Sequence, residues 1–126
     1  MIKSLDHFVL TTDKLDECLA FYTGVLGMEL ERYGTERLAL KFGSQKINVH
    51  QPGLNASLVA QYPRAGSLDL CFLADGPLDD VIATLEKHGV PIIRGPVVRA
   101  GACFPIRSVY VRDPDQNLVE ISEPAA

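Results

Sequence analysis

No apolar run in this chain approaches the ~20 residues that a membrane-spanning helix needs. Residues 1–6 lack the long apolar region of a secretory signal. Positive charge is not in excess: 12 Lys and Arg stand against 16 Asp and Glu, for a net charge of −4. That balance gives no electrostatic basis for binding nucleic acid or an anionic membrane. Cysteine is scarce, with Cys18, Cys71 and Cys103 odd in number and far apart. The pattern excludes a disulfide framework and a cysteine-rich zinc site. Each cysteine reads as a buried structural thiol before it reads as a nucleophile. Together these absences predict a soluble, cytoplasmic protein with reduced thiols.

What is present suits one globular domain, or two half-domains too small to stand alone. The chain has 126 residues, 47% of them hydrophobic and 22% charged. Residues 6–12 alternate as a strand, with His7, Val9 and Thr11 on one face. Asp13 is an N-cap candidate for a helix of about twelve residues. Leu15, Leu19, Tyr22 and Leu26 give that helix its apolar stripe, and Gly27 its C-cap. A second strand is expected over residues 28–33. Residues 38–42 and 46–50 form a hairpin around Gly43-Ser44-Gln45, with Lys46, Asn48 and His50 on one face.

Residues 52–67 differ. Pro52, Gly53, Asn55, Pro63 and Gly66 break any periodicity, which predicts a crossing linker that can lie over a pocket. The earlier pattern then returns. Residues 68–74 read as a strand with Asp69, Cys71 and Leu73 on one face. Pro77 starts a helix whose stripe is Leu78, Val81, Ile82 and Leu85, and Gly89 ends it. Residues 90–94 read as a strand, residues 95–105 as a Gly/Pro loop, and residues 107–123 as a hairpin. Asp113-Pro114-Asp115-Gln116-Asn117 is its turn.

The order is therefore β-α-β-β-β, linker, β-α-β-β-β. The first module spans 5–51, the linker 52–67 and the second module 68–123 of a single 1–126 domain. His7, Asp13 and Gly27 are spaced as Asp69, Asp75 and Gly89 are, and Asn48 and His50 match Glu120 and Ser122 at a common offset. Such a module cannot bury its sheet alone, but two copies can. Glu120 interrupts the apolar run Leu118-Val119-Glu120-Ile121. It is either on a wet strand face or an inward functional acid. Its repeat-equivalent neighbours are His7, Asp69, Asn48 and His50. Imidazole, carboxylate and amide oxygen are the donor types that hold a divalent metal. For each residue a plain strand or surface role is the competing reading.

Three stretches carry a family resemblance: Leu5-Asp6-His7-Phe8-Val9-Leu10, Ala20-Phe21-Tyr22-Thr23-Gly24-Val25-Leu26-Gly27-Met28, and Val111-Arg112-Asp113-Pro114-Asp115-Gln116-Asn117-Leu118-Val119-Glu120. In these the chain resembles the vicinal oxygen chelate superfamily of glyoxalase I, bleomycin resistance proteins and extradiol dioxygenases. Gln45-Lys46-Ile47-Asn48-Val49-His50-Gln51 and Gly66-Ser67-Leu68-Asp69-Leu70-Cys71-Phe72 are similar to its small single-domain glyoxalase-like subgroup. The resemblance implies an α+β fold of two tandem βαβββ modules forming a cupped mixed sheet with flanking helices, commonly as a homodimer.

It also implies a divalent metal ion (Zn, Ni, Fe, Mn or Mg) at His7, Asn48, Asp69 and Glu120. Asp69 stands where the family usually has histidine, and Asn48 where it has glutamate, glutamine or histidine. His50 is an alternative first-module ligand. Glu120 or Asp69 would move a proton beside a metal-polarised carbon. Arg99 and Arg107 would either hold an anionic end of the substrate or be solvated surface residues, and Tyr110 would either donate a hydrogen bond in the pocket or pack with its hydroxyl at the rim. The expected function is a metal-dependent lyase or isomerase of the glyoxalase type acting on a small substrate with vicinal oxygens. The alternatives are a non-catalytic antibiotic-binding or resistance protein and, lower, an extradiol-type dioxygenase.

Overall fold

In the computed structural model, which describes residues 1–53 and 58–125, the chain divides into two compact units, Met1–Ser67 and Leu68–Ala126. Each is built on its own four-stranded mixed sheet. The first has strands β1 (His7–Thr11), β2 (Glu29–Tyr33), β3 (Arg37–Phe42) and β4 (Gln45–His50) in the order β1-β4-β3-β2. The second has β5 (Asp69–Leu73), β6 (Arg94–Ala100), β7 (Pro105–Arg112) and β8 (Leu118–Pro124) in the order β5-β8-β7-β6. In both, the first strand runs parallel to the last and the others are antiparallel. The tandem βαβββ arrangement expected from the repeat is thus present.

The registers agree with the repeat residue by residue. Val9 pairs with Asn48 in the first sheet, and Cys71 pairs with Glu120 in the second. Alternation along each strand then separates two faces. One face is apolar and, in the second unit, lies under a helix. In the first unit it carries Leu10, Leu40, Ile47 and Val49, and in the second Val109, Val111, Val119 and Ile121, all buried. The other face carries the polar candidates.

The first helix begins one residue later than expected. Lys14 occupies the N-cap position, with its N–H donating to Thr12 Oγ1 (3.0 Å). It runs as α1 (Leu15–Ala20) and then widens into a π-helical turn, Phe21–Val25. Leu26 N–H reaches back to Phe21 O (3.1 Å), and Thr23 Oγ1 bonds the Leu19 carbonyl (2.6 Å). Gly27 ends the helix at φ +75, where a side chain would be strained. The second helix, α2 (Leu78–Lys87), starts at Pro77 and buries Leu78 and Leu85. Glu123 of β8 accepts the Leu78 N–H through Oε1 (2.6 Å), so a sheet carboxylate satisfies a helix N-terminal donor.

Two sequence expectations need correction. The first hairpin turn holds two residues rather than three, because Phe42 pairs directly with Gln45 and Gly43 takes a positive φ of 51. More consequentially, β6 lies at Arg94–Ala100, inside the expected Gly/Pro loop, while residues 90–93 are not in a strand. The sheet order makes β6 an edge strand, where proline costs no ladder bond on the solvent side. The register shift between Arg94 and Val97 absorbs Gly95-Pro96 as a bulge. Gly95 sits at φ +102, and a Cβ there would collide with the Ser108 carbonyl oxygen. The connection to β7 shrinks to residues 101–104. Of the expected linker, residues 54–57 lie outside the described residues, and 58–67 form turns without strand.

Candidate functional site

Glu120 lies at the centre of the second sheet. Its neighbours Val119 and Ile121 face the helix side and are buried. Strand alternation puts Glu120 and Ser122 on the opposite face. There, Cys71 of β5 and Tyr110 of β7 flank Glu120, and Ser108 lies opposite Ser122. Three hydrogen bonds join these side chains. Ser108 Oγ donates to Glu120 Oε2 at 2.6 Å. Ser108 and Ser122 hydroxyls are 2.7 Å apart, and Ser122 Oγ is 3.3 Å from Cys71 Sγ. A serine has one hydroxyl proton. Since Ser108 gives its proton to Glu120, Ser122 must donate to Ser108, and the Cys71 thiol must donate to Ser122. The chain therefore has a direction, from thiol to carboxylate. Both serines are fully buried, so the middle of this polar chain is shielded from water, while Cys71 at one end is exposed, contrary to the buried thiol expected from sequence, and Glu120 at the other is half-buried.

Burial pushes the Cys71 thiol above its ordinary pKa, and the Glu120 charge and a side-chain hydrogen bond with Glu120 act in the same direction. Cys71 is thus a neutral donor at neutral pH, as the direction of the chain requires.

Glu120 and Cys71 open onto a cavity of about 580 Å³ within the second unit. That volume falls in the range of roughly 300–1,000 Å³ usual for small-molecule sites. Its lining includes Leu73, Phe104 and Ile106, the small residues of the 101–104 connection, and Arg99 and Tyr110. Arg99 Nε donates to Tyr110 Oη (3.2 Å), and its guanidinium carbon lies 5.8 Å from the Tyr110 ring centre. Arg107 is placed differently. It is one residue out of phase with Ser108 and Tyr110, so it emerges on the helix face. There its NH1 pairs with Glu123 (3.3 Å) and Asp79 (3.6 Å).

In the first unit, His7, Asn48 and His50 share the face opposite the buried Leu10, Ile47 and Val49. His7 Nδ1 is 2.8 Å from Asp6 Oδ1, and Nε2 has no partner among the described residues. Asn48 Oδ1 accepts from Tyr33 Oη (3.1 Å), and Lys46 Nζ sits 4.6 Å over the Tyr33 ring. Burial, and next the Arg37 charge, hold His50 below its ordinary pKa, so its imidazole is neutral at pH 7. In the second unit, Asp69 is exposed and pairs with Leu118, one step along the same face from Glu120. Among the described residues, no group of three or more His, Cys, Asp or Glu side chains comes together as a metal-binding cluster.

The sequence reading missed Ser108, Ser122, Cys103 and Phe104 as parts of this face. Ser108 was legible in principle, because it is in phase with Tyr110 on the same strand. Cys103 and Phe104 carried no signal while residues 95–105 read as a loop.

The model of the Glyoxalase/Bleomycin resistance protein/Dioxygenase superfamily matches residues 4–121. The chain is 48% identical over 121 residues to glyoxalase domain-containing protein RDO1 of Mycosarcoma maydis, covering 96% of this chain and 68% of that one. Its structure is similar to an integron cassette protein from the mobile metagenome of V. cholerae, with a TM-score of 0.96, 47% identity, and coverage of 99% of this chain and 98% of the other. It is also similar to lactoylglutathione lyase from Agrobacterium tumefaciens, with a TM-score of 0.75, 25% identity, and coverage of 98% and 95%.

Proposed function

As this chain belongs to the Glyoxalase/Bleomycin resistance protein/Dioxygenase superfamily, we propose that it is a metal-dependent lyase or isomerase for a small substrate with vicinal oxygens, working at Glu120. The observation that carries this reading is the hydrogen-bonded carboxylate on the cavity wall. Ser108 engages Oε2 from a buried position, and Cys71 bonds the same carboxylate. Such an acid is held in one orientation on the cavity wall. The similarity to a lactoylglutathione lyase supports the reaction class.

The donor chemistry suits a divalent ion at two of the candidates. His7 has its Nδ1 on the Asp6 carboxylate, which orients the ring and leaves Nε2 as the nitrogen to offer a metal, the usual setting of a ligating histidine. Glu120 offers a carboxylate on the cavity wall. Asn48 suits a metal least, because its amide oxygen is already engaged by Tyr33. His50, neutral and half-buried, and the exposed Asp69 complete the candidate set. When bound, the ion would polarise a substrate oxygen and stabilise charge developing there. The chain's own contribution is then positional: Glu120 takes or returns a proton at the adjacent carbon, the Tyr110 hydroxyl contacts the substrate, and the apolar walls exclude water. Asp69 is the second acid candidate. The proposed setting is a homodimer in the cytoplasm. No helix among the described residues is long and apolar enough to cross a membrane.

The apolar lining also favours a second reading, a non-catalytic small-molecule binder. A spectrophotometric assay with the hemithioacetal of methylglyoxal and glutathione separates the two. Thioester formation by the metal-loaded protein, lost in Glu120→Gln, is the expected result. Loaded protein that turns over neither this hemithioacetal nor other α-hydroxycarbonyl substrates would leave the binding reading.

A further inference from the structure

We infer that the cavity of the second unit recognises an amphipathic monocarboxylate, with the carboxylate on the free end of the Arg99 guanidinium and an apolar body against Leu73, Phe104 and Ile106. This rests on the cavity being the substrate site, and not on the metal.

The charges on the cavity wall select the anion. Its lining holds one arginine and one carboxylate residue, Arg99 and Glu120. They do not pair. Glu120 is engaged by Ser108, while Arg99 donates through Nε to Tyr110 and through NH1 to the Val98 carbonyl (3.4 Å). Arg99 is in none of the described ion pairs, whose cations are His7, Lys41 and Arg107. Among the described residues it is therefore a cavity cation without an internal counter-charge. Its Nε proton and one NH1 proton are engaged, and the remaining NH1 and NH2 protons are left for a planar bidentate acceptor. Tyr110 restrains the guanidinium in advance, which lowers the ordering cost of binding.

One cation matches one negative charge. A dianion, or an anion spread across the cavity, would meet the Glu120 carboxylate on the same wall. The rest of the ligand is set by the apolar lining. Phe104 and Leu73 are 41% and 59% exposed, large apolar side chains that an apolar body would cover. Ala100, Gly101 and Ala102 keep the space between them open. Gly101 is fixed in this role, because a Cβ there would collide with the Phe104 carbonyl oxygen.

The test uses the full chain with chelator present, so that a metal ion at Glu120 contributes nothing. Phenylacetate, phenylacetamide and phenylphosphonate are titrated by calorimetry, with the Gly101 amide shift followed by NMR. Phenylacetate is expected to bind saturably, and Arg99→Gln to weaken it about tenfold or more, as loss of a charge-assisted pair does. Phenylacetamide should bind at least as weakly as phenylacetate binds Arg99→Gln, and should not respond to that substitution. Arg107→Gln, on the other face, should change nothing. Equal binding of acid and amide would overturn the inference while leaving the cavity as a small-molecule site. Tighter binding of phenylphosphonate would overturn the single-charge argument. Absence of binding by all three probes would overturn the inference outright, with the hemithioacetal assay judging the enzyme reading separately.

Discussion

Replacing Ser108 with alanine removes the middle of the thiol-to-carboxylate chain, and the cost can be worked out bond by bond. The Ser108 hydroxyl donates to Glu120 at 2.6 Å and accepts from Ser122 at 2.7 Å, with both serines fully out of solvent. A hydrogen bond to a charged group contributes about 1.5–3 kcal/mol, and a buried donor left without an acceptor costs about 1–3 kcal/mol. Glu120 is only half-buried and can turn to water, which lowers the first figure. Ser122 keeps only Cys71 Sγ, 3.3 Å away and a weak acceptor, as its alternative partner. The net expectation is destabilisation of about 2 kcal/mol, read as a lower urea midpoint with unchanged slope. A double-mutant cycle isolates the pair. Ser108→Ala combined with Glu120→Gln should fall short of additivity by about 1–2 kcal/mol, because both substitutions remove the same charge-assisted bond. Additive costs, or a Ser108→Ala penalty below about 0.5 kcal/mol, would show that Ser108 does not hold the carboxylate.

Asn117 is 1% exposed; its amide donates to Asp113 Oδ2 (2.8 Å) and accepts the Leu68 N–H (2.8 Å). Asn117→Ala should therefore lower stability by about 2–3 kcal/mol in thermal unfolding, and a loss within about 0.5 kcal/mol would contradict the role given to this turn. The Cys71 thiol, held neutral by burial, should react with iodoacetamide at pH 8 several-fold more slowly than an unstructured cysteine peptide, because the thiolate is the reactive form. Mass-spectrometric labelling at the peptide's rate would refute the raised pKa.

The fold was legible because two independent regularities in the sequence agree. Helical stripes ending in Gly27 and Gly89 locate the crossovers, and equal spacing of the halves locates the strands between them. Period-two alternation placed Glu120 opposite Val119 and Ile121, though not on which side. β6 was not legible. Gly95 and Pro96 are loop signals in sequence, and only the edge position and the bulge make them compatible with a strand. That misreading cost the phase of Arg99, and with it the distinction from Arg107. The burial of Ser108, Ser122, Asp113 and Asn117 was hidden for a different reason. Short polar residues look like turns or wet faces until their partners, far along the chain, are known.

The proposed function depends on this chain binding a divalent metal, with His7 and Glu120 each a candidate ligand. Elemental analysis after chelator stripping and reloading tests it most directly, on the wild type beside His7→Ala and Glu120→Ala. Stoichiometric divalent metal in the wild type, lost in both variants with their folds intact by circular dichroism, is the expected result. A wild type that takes up no metal, or variants that retain it in full, would contradict the claim.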